Sequence, residues 1–263
     1  MKRWWFTVHK WLALVVALQV LAWFASGLFM TAFPIARVRS EHNIREAVPT
    51  DLRGAGARLT AEQAMAAAGA PVSRLELADI AGRTVWRIES AGAPHAIFDA
   101  GTGETLTPLS ESFARAIAAA DFSGAGKIVS AKYFGASDKP PIEYRSALPA
   151  WQIVFDDKGK THLYVQALTG KVAARRSGLW RAYDFLWSLH TMDWVGRDNF
   201  NNPQIVVFTV LSLIMAIAGI GILVIRFWPK RRSRAQGSTA ADDPLATFQE
   251  RSGGKDETAF RDL

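Results

Sequence analysis

The chain has no cysteine. Disulfide frameworks, thiolate metal sites, iron–sulfur ligation and cysteine nucleophiles are therefore excluded. Charge is also scarce, at 21% of 263 residues, which is low for a soluble protein of this size. Common enzyme signatures are missing: there is no G-x-S-x-G, no H-E-x-x-H and no dinucleotide- or nucleotide-binding glycine pattern. Ser123-Gly124-Ala125-Gly126-Lys127-Ile128 comes near a phosphate loop but lacks the spaced first glycine and the hydroxyl residue after lysine. Asp156-Asp157-Lys158-Gly159 reads as a hairpin turn and not as a calcium loop. No catalytic residue and no metal site is nominated.

What is present is unevenly placed. The sequence pI is near 9.9, yet the excess cation sits beside two apolar runs. Lys2, Arg3 and Lys10 precede or open the first, and Arg226, Lys230, Arg231, Arg232 and Arg234 close the second, with no acid in either flank. Setting those eight aside leaves 23 basic against 24 acidic residues, so the remainder is near neutral. That distribution fits a membrane protein oriented by positive charge inside. It does not fit a nucleic-acid binder, because no basic stripe with interleaved aromatics occurs elsewhere.

From Trp11 to Phe33 the chain runs 23 residues without a charge, a helix of about 34 Å, enough to cross about 30 Å of hydrocarbon. Ile205 to Ile225 is a second run of 21 residues, about 31 Å long. Trp4, Trp5 and Trp11 flank the first, and Phe227 and Trp228 the second, as interfacial belts do. A cleaved signal peptide is the competing reading of the first run. It is too long and too aromatic for that, and no A-x-A site precedes polar sequence. Asn202 and Pro203 suit the cap and first position of the second helix. Ser212, Ala216 and Gly219 form a small-residue stripe that favours the two spans packing together, with a homodimer as the other assembly.

Between the runs the sequence repeats. Gly92 to Gly103 aligns without gaps on Gly159 to Gly170 at an offset of 67, with His95 matching His162. Trp86–Ser90 matches Trp151–Phe155 after a two-residue adjustment, and Thr60–Ala68 and Ser110–Ala120 both read as short Ala-rich helices. Each unit is one helix followed by about three strands, an α+β arrangement with a one-sided antiparallel sheet.

The closing strands Phe98-Asp99-Ala100-Gly101-Thr102-Gly103-Glu104 and Tyr164-Val165-Gln166-Ala167-Leu168-Thr169-Gly170-Lys171-Val172 resemble that of the PepSY domain, here in two copies. His9-Lys10-Trp11, Phe185 to Asp193 (with its Leu-His-x-Met-Asp run) and Arg197 to Asn201 are similar to PepSY-associated transmembrane proteins. The resemblance covers most of residues 1–228. The expected order is a cytoplasmic N-terminus (1–10), a first span (11–33), a linker (34–58) and PepSY-like repeats (59–108 and 109–176). An amphipathic interfacial helix and turn (177–203), a second span (204–228) and a disordered cytoplasmic tail (229–263) complete it. The central body then lies in the periplasm of a bacterial inner-membrane protein.

The resemblance implies a non-enzymatic binding and regulatory module linked to metal or iron response, with a protein partner such as a sensor kinase or redox subunit. It implies an alternative as well. Wider family members with more spans are expected to bind haem b through membrane-edge histidines and to reduce ferric chelates, which nominates His9 and His190 as candidate haem ligands. The spans hold these two about a bilayer apart, so one haem needs a histidine from a second copy or another subunit. Related sequences often carry a histidine where Asn202 stands. The matched pair His95 and His162 has no zinc-ligand logic, lacking third and fourth ligands, and reads as two exposed strand-start histidines. Leu179 to Trp194 reads as a helix lying along the outer membrane surface, with Leu179, Tyr183, Leu186 and His190 on one face and Trp180, Trp187 and Trp194 on the next.

Overall fold

The computed structural model describes residues 2–46, 51–52 and 56–227. The tail expected from 229 onward lies outside the described residues. The chain is mixed α+β, with two antiparallel sheets and two helices long and apolar enough to cross a membrane, over Ala13–Ala32 and Pro203–Gly221. By contacts it divides into Met1–Ala216, which holds both sheets, and a second unit from Ile217.

Helix α1 (Lys2–Ala32) is followed by the single turn α2 (Ile35–Val38). Then α3 (Ala61–Ala67) leads into a sheet ordered β1 (Val72–Ile80), β2 (Arg83–Ser90), β3 (Ala96–Asp99). Helix α4 (Glu111–Asp121) leads into a second sheet ordered β4 (Ile128–Phe134), β5 (Ala150–Phe155), β6 (His162–Gln166), β7 (Val172–Arg176). Helices α5 (Gly178–Thr191) and α6 (Pro203–Phe227) complete the described chain. The helix starts follow the local chemistry read from sequence. Thr60 and Gln63 form a capping box, Ser110 accepts from the Phe113 amide, and Asn202 Oδ1 accepts from the Ile205 amide at 3.0 Å.

The 67-residue offset holds at the level of single hydrogen bonds. Gly103 N–H donates to Asp99 O and Gly170 N–H to Gln166 O, both at 2.9 Å. Asp99 pairs back to Glu104 O, and Gln166 to Lys171 O. Ala100 N–H reaches Thr84 O and Ala167 N–H reaches Pro149 O, an offset of 65 on the acceptor side that reproduces the two-residue adjustment. Trp86 and Trp151 each donate an indole N–H at 2.8 Å to the carbonyl just before a helix cap, Leu59 and Leu109. The copies differ at their ends. The closing strand is the full β7 in the second unit and a single bridge, Phe98 to Thr105, in the first.

Alternation along the strands sorts the side chains into layers. Val85 and Ile97 of the first sheet, Ile153, Leu163 and Val165 of the second, and Ala114, Ile117 and Ala118 of α4 share one core. The opposite face of the first sheet packs Ile88 and Phe98 on Ala64 of α3. Gly170 sits where the shared core is tightest: at φ +65°, a Cβ there would lie 3.3 Å from the Cδ1 atoms of both Ile80 and Ile97. Gly170→Ala is expected to cost about 2–3 kcal/mol, combining left-handed strain with overpacking. Gly92→Ala, also at positive φ but with nothing within 4 Å, pays only the strain of about 1 kcal/mol. Thermal unfolding of the two variants reads the difference.

Helix α5 does not stand apart at a surface. It packs along the C-terminal half of α1, running antiparallel to it: Trp23 Nε1 donates to His190 O at 2.8 Å, Gln19 Nε2 to Leu189 O at 3.3 Å, and Ile35 and Val38 share a pocket with Trp180 and Tyr183. The physical reason is that α1 carries polar partners inside its apolar run and α5 brings it unsatisfied C-terminal carbonyls. The face α5 buries is its polar one, Asp184, Ser188 and Thr191, with its cap Ser177 buried as well, while Phe185 is 52% exposed.

Candidate functional site

The outer face of the second sheet holds a buried polar cluster. Its members are set by strand register: Gln152 pairs with Tyr164 across β5–β6, and His162 with Arg176 across β6–β7, placing all four on the face away from the shared core. The connection between β4 and β5 closes over them and delivers Glu143, only 7% exposed. Glu143 Oε1 accepts from His162 Nδ1 at 2.6 Å and from the Tyr164 hydroxyl at 2.7 Å. Oε2 accepts from Arg181 Nε of α5 at 2.7 Å. The backbone carbonyl of Glu143 accepts from Arg176 Nε at 2.6 Å, and Tyr144 stacks on Tyr164 at 4.7 Å. Burial alone raises the Glu143 carboxyl, but the bonds from His162, Arg181 and Tyr164 win and hold it at about 2. Tyr164 is pushed well above the ordinary phenol range, by burial first and by the Glu143 carboxylate next to it second.

A second buried carboxylate lies one turn further along α5. Asp184, 4% exposed, accepts from Arg145 Nη2 at 2.7 Å and Arg197 Nη1 at 2.9 Å. Arg145 comes from the same connection as Glu143, and its Nη1 also donates to the Arg197 carbonyl at 3.2 Å. Trp180 is covered by the guanidinium of Arg176, 4.1 Å from its ring centroid, with Arg145 at 5.9 Å. The two carboxylates thus form an ionic joint in which the sheet, the β4–β5 connection, α5 and the 192–202 turn are held by Arg181, Arg145 and Arg197. That turn is braced internally. Asp193 accepts from the amides of Gly196, Asp198 and Asn199, each at 3.0 Å, and Asn202 Nδ2 reaches the Thr191 carbonyl at 2.7 Å. Those backbone bonds, Asn199 first, lower the Asp193 pKa.

The joint corrects one expectation. His162 is not an exposed strand-start histidine; it is half-buried and its Nδ1 is engaged by Glu143. Its repeat partner His95 is also half-buried, but its Nδ1 finds no partner. The repeat relates the strands without relating the chemistry, because only the second sheet has a closing connection that carries a carboxylate. Among the described residues no group of three or more His, Asp and Glu side chains gathers to hold a metal.

His190 lies near the end of α5, facing α1. Ser26 Oγ is 2.9 Å from its Nδ1, and the serine proton is committed to the helix carbonyls of Ala22 at 2.7 Å and Trp23 at 3.1 Å. With that proton on a helix carbonyl, Ser26 accepts from Nδ1–H, which leaves the lone pair on Nε2, the tautomer an Nε2 metal ligand requires. Gly27 leaves room beside the ring, since a Cβ there would lie 3.9 Å from His190 Cε1. Trp187 runs parallel to the imidazole, 10° between planes at 6.4 Å. This niche offers one ligand nitrogen. His9 is on α1, but its side chain lies outside the described residues; it precedes Ser26 by 17 positions, about 25 Å of helix. The two histidines do not meet on one iron.

Sequence reasoning missed Glu143, Asp184 and Ser26. Two signals were in view: polar Gln19 and Ser26 inside an apolar run, and the i, i+4, i+7 stripe Asp184, Ser188, Thr191 on α5. No protein-family model matches the chain, and no curated protein or solved structure matches it either.

Proposed function

We propose that the protein is a two-span inner-membrane protein with cytoplasmic termini. On this reading its body, a tandem PepSY-like pair on the periplasmic side, is a non-enzymatic binding and regulatory module linked to metal or iron response. Its partner is a membrane or periplasmic protein such as a sensor kinase or redox subunit. The observation that carries this reading is the ionic joint. A partner that moves the second sheet displaces Glu143 and Arg145, and these pull on α5 and through it on α1, so the contact is relayed without a slack linker. Immersion in lipid is supported by inverted polarity: α1 buries Ser26 and exposes Phe24 at 73% and Leu28 at 71%, as helices in hydrocarbon do.

Reporter fusions at Gly135 and Leu263 test the topology, with opposite sides expected. Deleting the gene is expected to shift transcription of metal- or iron-responsive genes. The full-length His190→Ala chain should restore the response, and a chain lacking residues 56–176 should not. Restoration by the body-less chain would overturn the reading.

A second reading is favoured by the His190 tautomer: a haem b-binding electron-transfer subunit for ferric-chelate (siderophore) reduction. The residues fit the group in part: His190 Nε2 would hold it, and a further ligand would come from a second copy or another subunit. Bound there, haem would supply one-electron chemistry, while Ser26 would hold the ring and its tautomer. Protein expressed with ample haem is expected, on this reading, to show a Soret band that His190→Ala abolishes and Ser26→Ala weakens. Colourless protein with function retained in His190→Ala removes it.

A further inference from the structure

A pocket along α5 shares Arg145 and Asp184 with the joint and Trp187 with the His190 niche, but neither reading uses the space it encloses. It has a volume of about 290 Å³ and lies between α2 and α5, with Arg39, Arg145, Trp180, Tyr183, Asp184 and Trp187 among its walls. Its polar groups are almost all donors. Arg39 is exposed and has no protein partner among the described residues, and the Trp180 and Trp187 indole N–H groups and the Tyr183 hydroxyl have none either. Asp184 is the one acid in the lining, and its two oxygens are taken by Arg145 and Arg197. Pairing one carboxylate with two guanidiniums leaves a positive charge, and Arg39 adds another. A pocket with surplus donors and cations, whose one carboxylate is already paired, is complementary to an anion with several oxygens.

Position says which anion. Helix α2 begins at Ile35, three residues past the end of α1 at Ala32. The α1–α5 pairing puts Trp180 and Tyr183 beside this turn while His190 reaches down to Ser26. Indole, phenol and guanidinium groups just beyond an apolar span stand where lipid headgroups lie. The volume admits a headgroup and leaves the acyl chains in surrounding lipid.

We propose that this pocket binds the headgroup phosphate of an anionic phospholipid, with Arg39 as its principal contact and Arg145 and the Trp180 edge completing the cradle. The proposal rests on the membrane reading above. It gives the outer end of the α1–α5 pair a fixed reference in the headgroup layer, against which movement of the joint is measured.

The test uses the full-length chain, purified in detergent and offered phosphatidylglycerol or phosphatidylcholine, with lipid retention read by native mass spectrometry. Phosphatidylglycerol is expected to be retained preferentially. Arg39→Gln should lower that retention by about tenfold, the loss of one charge-assisted contact. Arg37→Gln, which changes an exposed cation outside the pocket lining, should leave it unchanged. Equal retention of both lipids, or an Arg39→Gln chain that behaves like the parent, overturns the proposal. Release of the lipid by millimolar inorganic phosphate assigns the pocket to a free anion and overturns it as well. A chain that stays in solution without detergent and never enters vesicles overturns the membrane reading and this inference with it; integration without lipid preference overturns this inference alone.

Discussion

Glu143→Ala is expected to lower the stability of the protein by about 3–5 kcal/mol, the range for removing one partner of a buried ion pair. Three donors lose their acceptor together: His162 Nδ1, the Tyr164 hydroxyl and Arg181 Nε. Arg176 of β7 and Arg181 of α5 are then left beside each other without the carboxylate that faces them. Each lost contact is modest alone, but the penalty for leaving buried donors unmade is what adds up. At about 2–4 °C per kcal/mol for a chain of this size, thermal unfolding in detergent should fall by roughly 10 °C. Glu143→Gln keeps an acceptor oxygen and should fall by less than half of that. A Glu143→Ala chain that melts with the parent would show the joint to be ornamental.

The same carboxylate gives a pH signature with a definite sign. Its folded pKa is depressed, from 4.5 to about 2, so folding favours the ionised form. The stabilisation is fully present above about pH 4.5 and is lost as pH falls toward 2. At 1.36 kcal/mol per pKa unit this amounts to about 3 kcal/mol. Asp99, whose pKa is also lowered, titrates in the same direction, so the informative quantity is the difference between the parent and Glu143→Gln. Between pH 4.5 and 2 the parent should lose its advantage over the variant. A gap that stays constant over that window would contradict the assigned ionisation.

The repeat units were legible because their determinants are periodic. A two-residue alternation and a constant offset survive in a linear string, and the Trp86 and Trp151 bonds to Leu59 and Leu109 occupy matching places in both copies. The joint was not legible for two separate reasons. Glu143 sits in a connection that has no period, so nothing local marks it as buried. On α5 a period exists, but a search for the apolar face selects Leu179, Tyr183, Leu186 and His190, whereas the structure buries Asp184, Ser188 and Thr191. Apolar-face logic presumes water on the other side. On α5 the polar side chains turn toward the protein because their partners lie there: Asp184 meets Arg145 and Arg197, and the Ser188 and Thr191 hydroxyls donate to the Phe185 and Trp187 carbonyls. The histidines show the limit of repeat symmetry: His95 and His162 match in sequence, yet only His162 meets a carboxylate.

Asp184→Ala should free the 192–202 turn more than it weakens the whole protein. Asp184 holds Arg145 from one side and Arg197 from the other, and without it two guanidiniums face each other across a buried gap. Both are partly exposed, at 32% and 24%, so they can swing toward water and relieve the repulsion. The cost to global unfolding is therefore expected near the low end for a broken buried pair, about 3 kcal/mol. The local cost is larger in effect, because Arg197 is held at φ +60°, a conformation that persists only while its surroundings enforce it. Released, the turn opens at a free energy well below that of global unfolding. Trypsin cleavage after Arg197 in the folded protein should rise by about 10- to 100-fold, since proteolysis follows the population of the open form. Asp193→Ala, which removes the internal brace of the same turn but leaves the ion pairs in place, should raise cleavage less. Glu143→Ala should instead favour cleavage after Arg176 and Arg181. If Asp184→Ala and Glu143→Ala gave the same cleavage pattern, the two carboxylates would be one cooperative unit, and the relay from sheet to turn would need no separate step at α5.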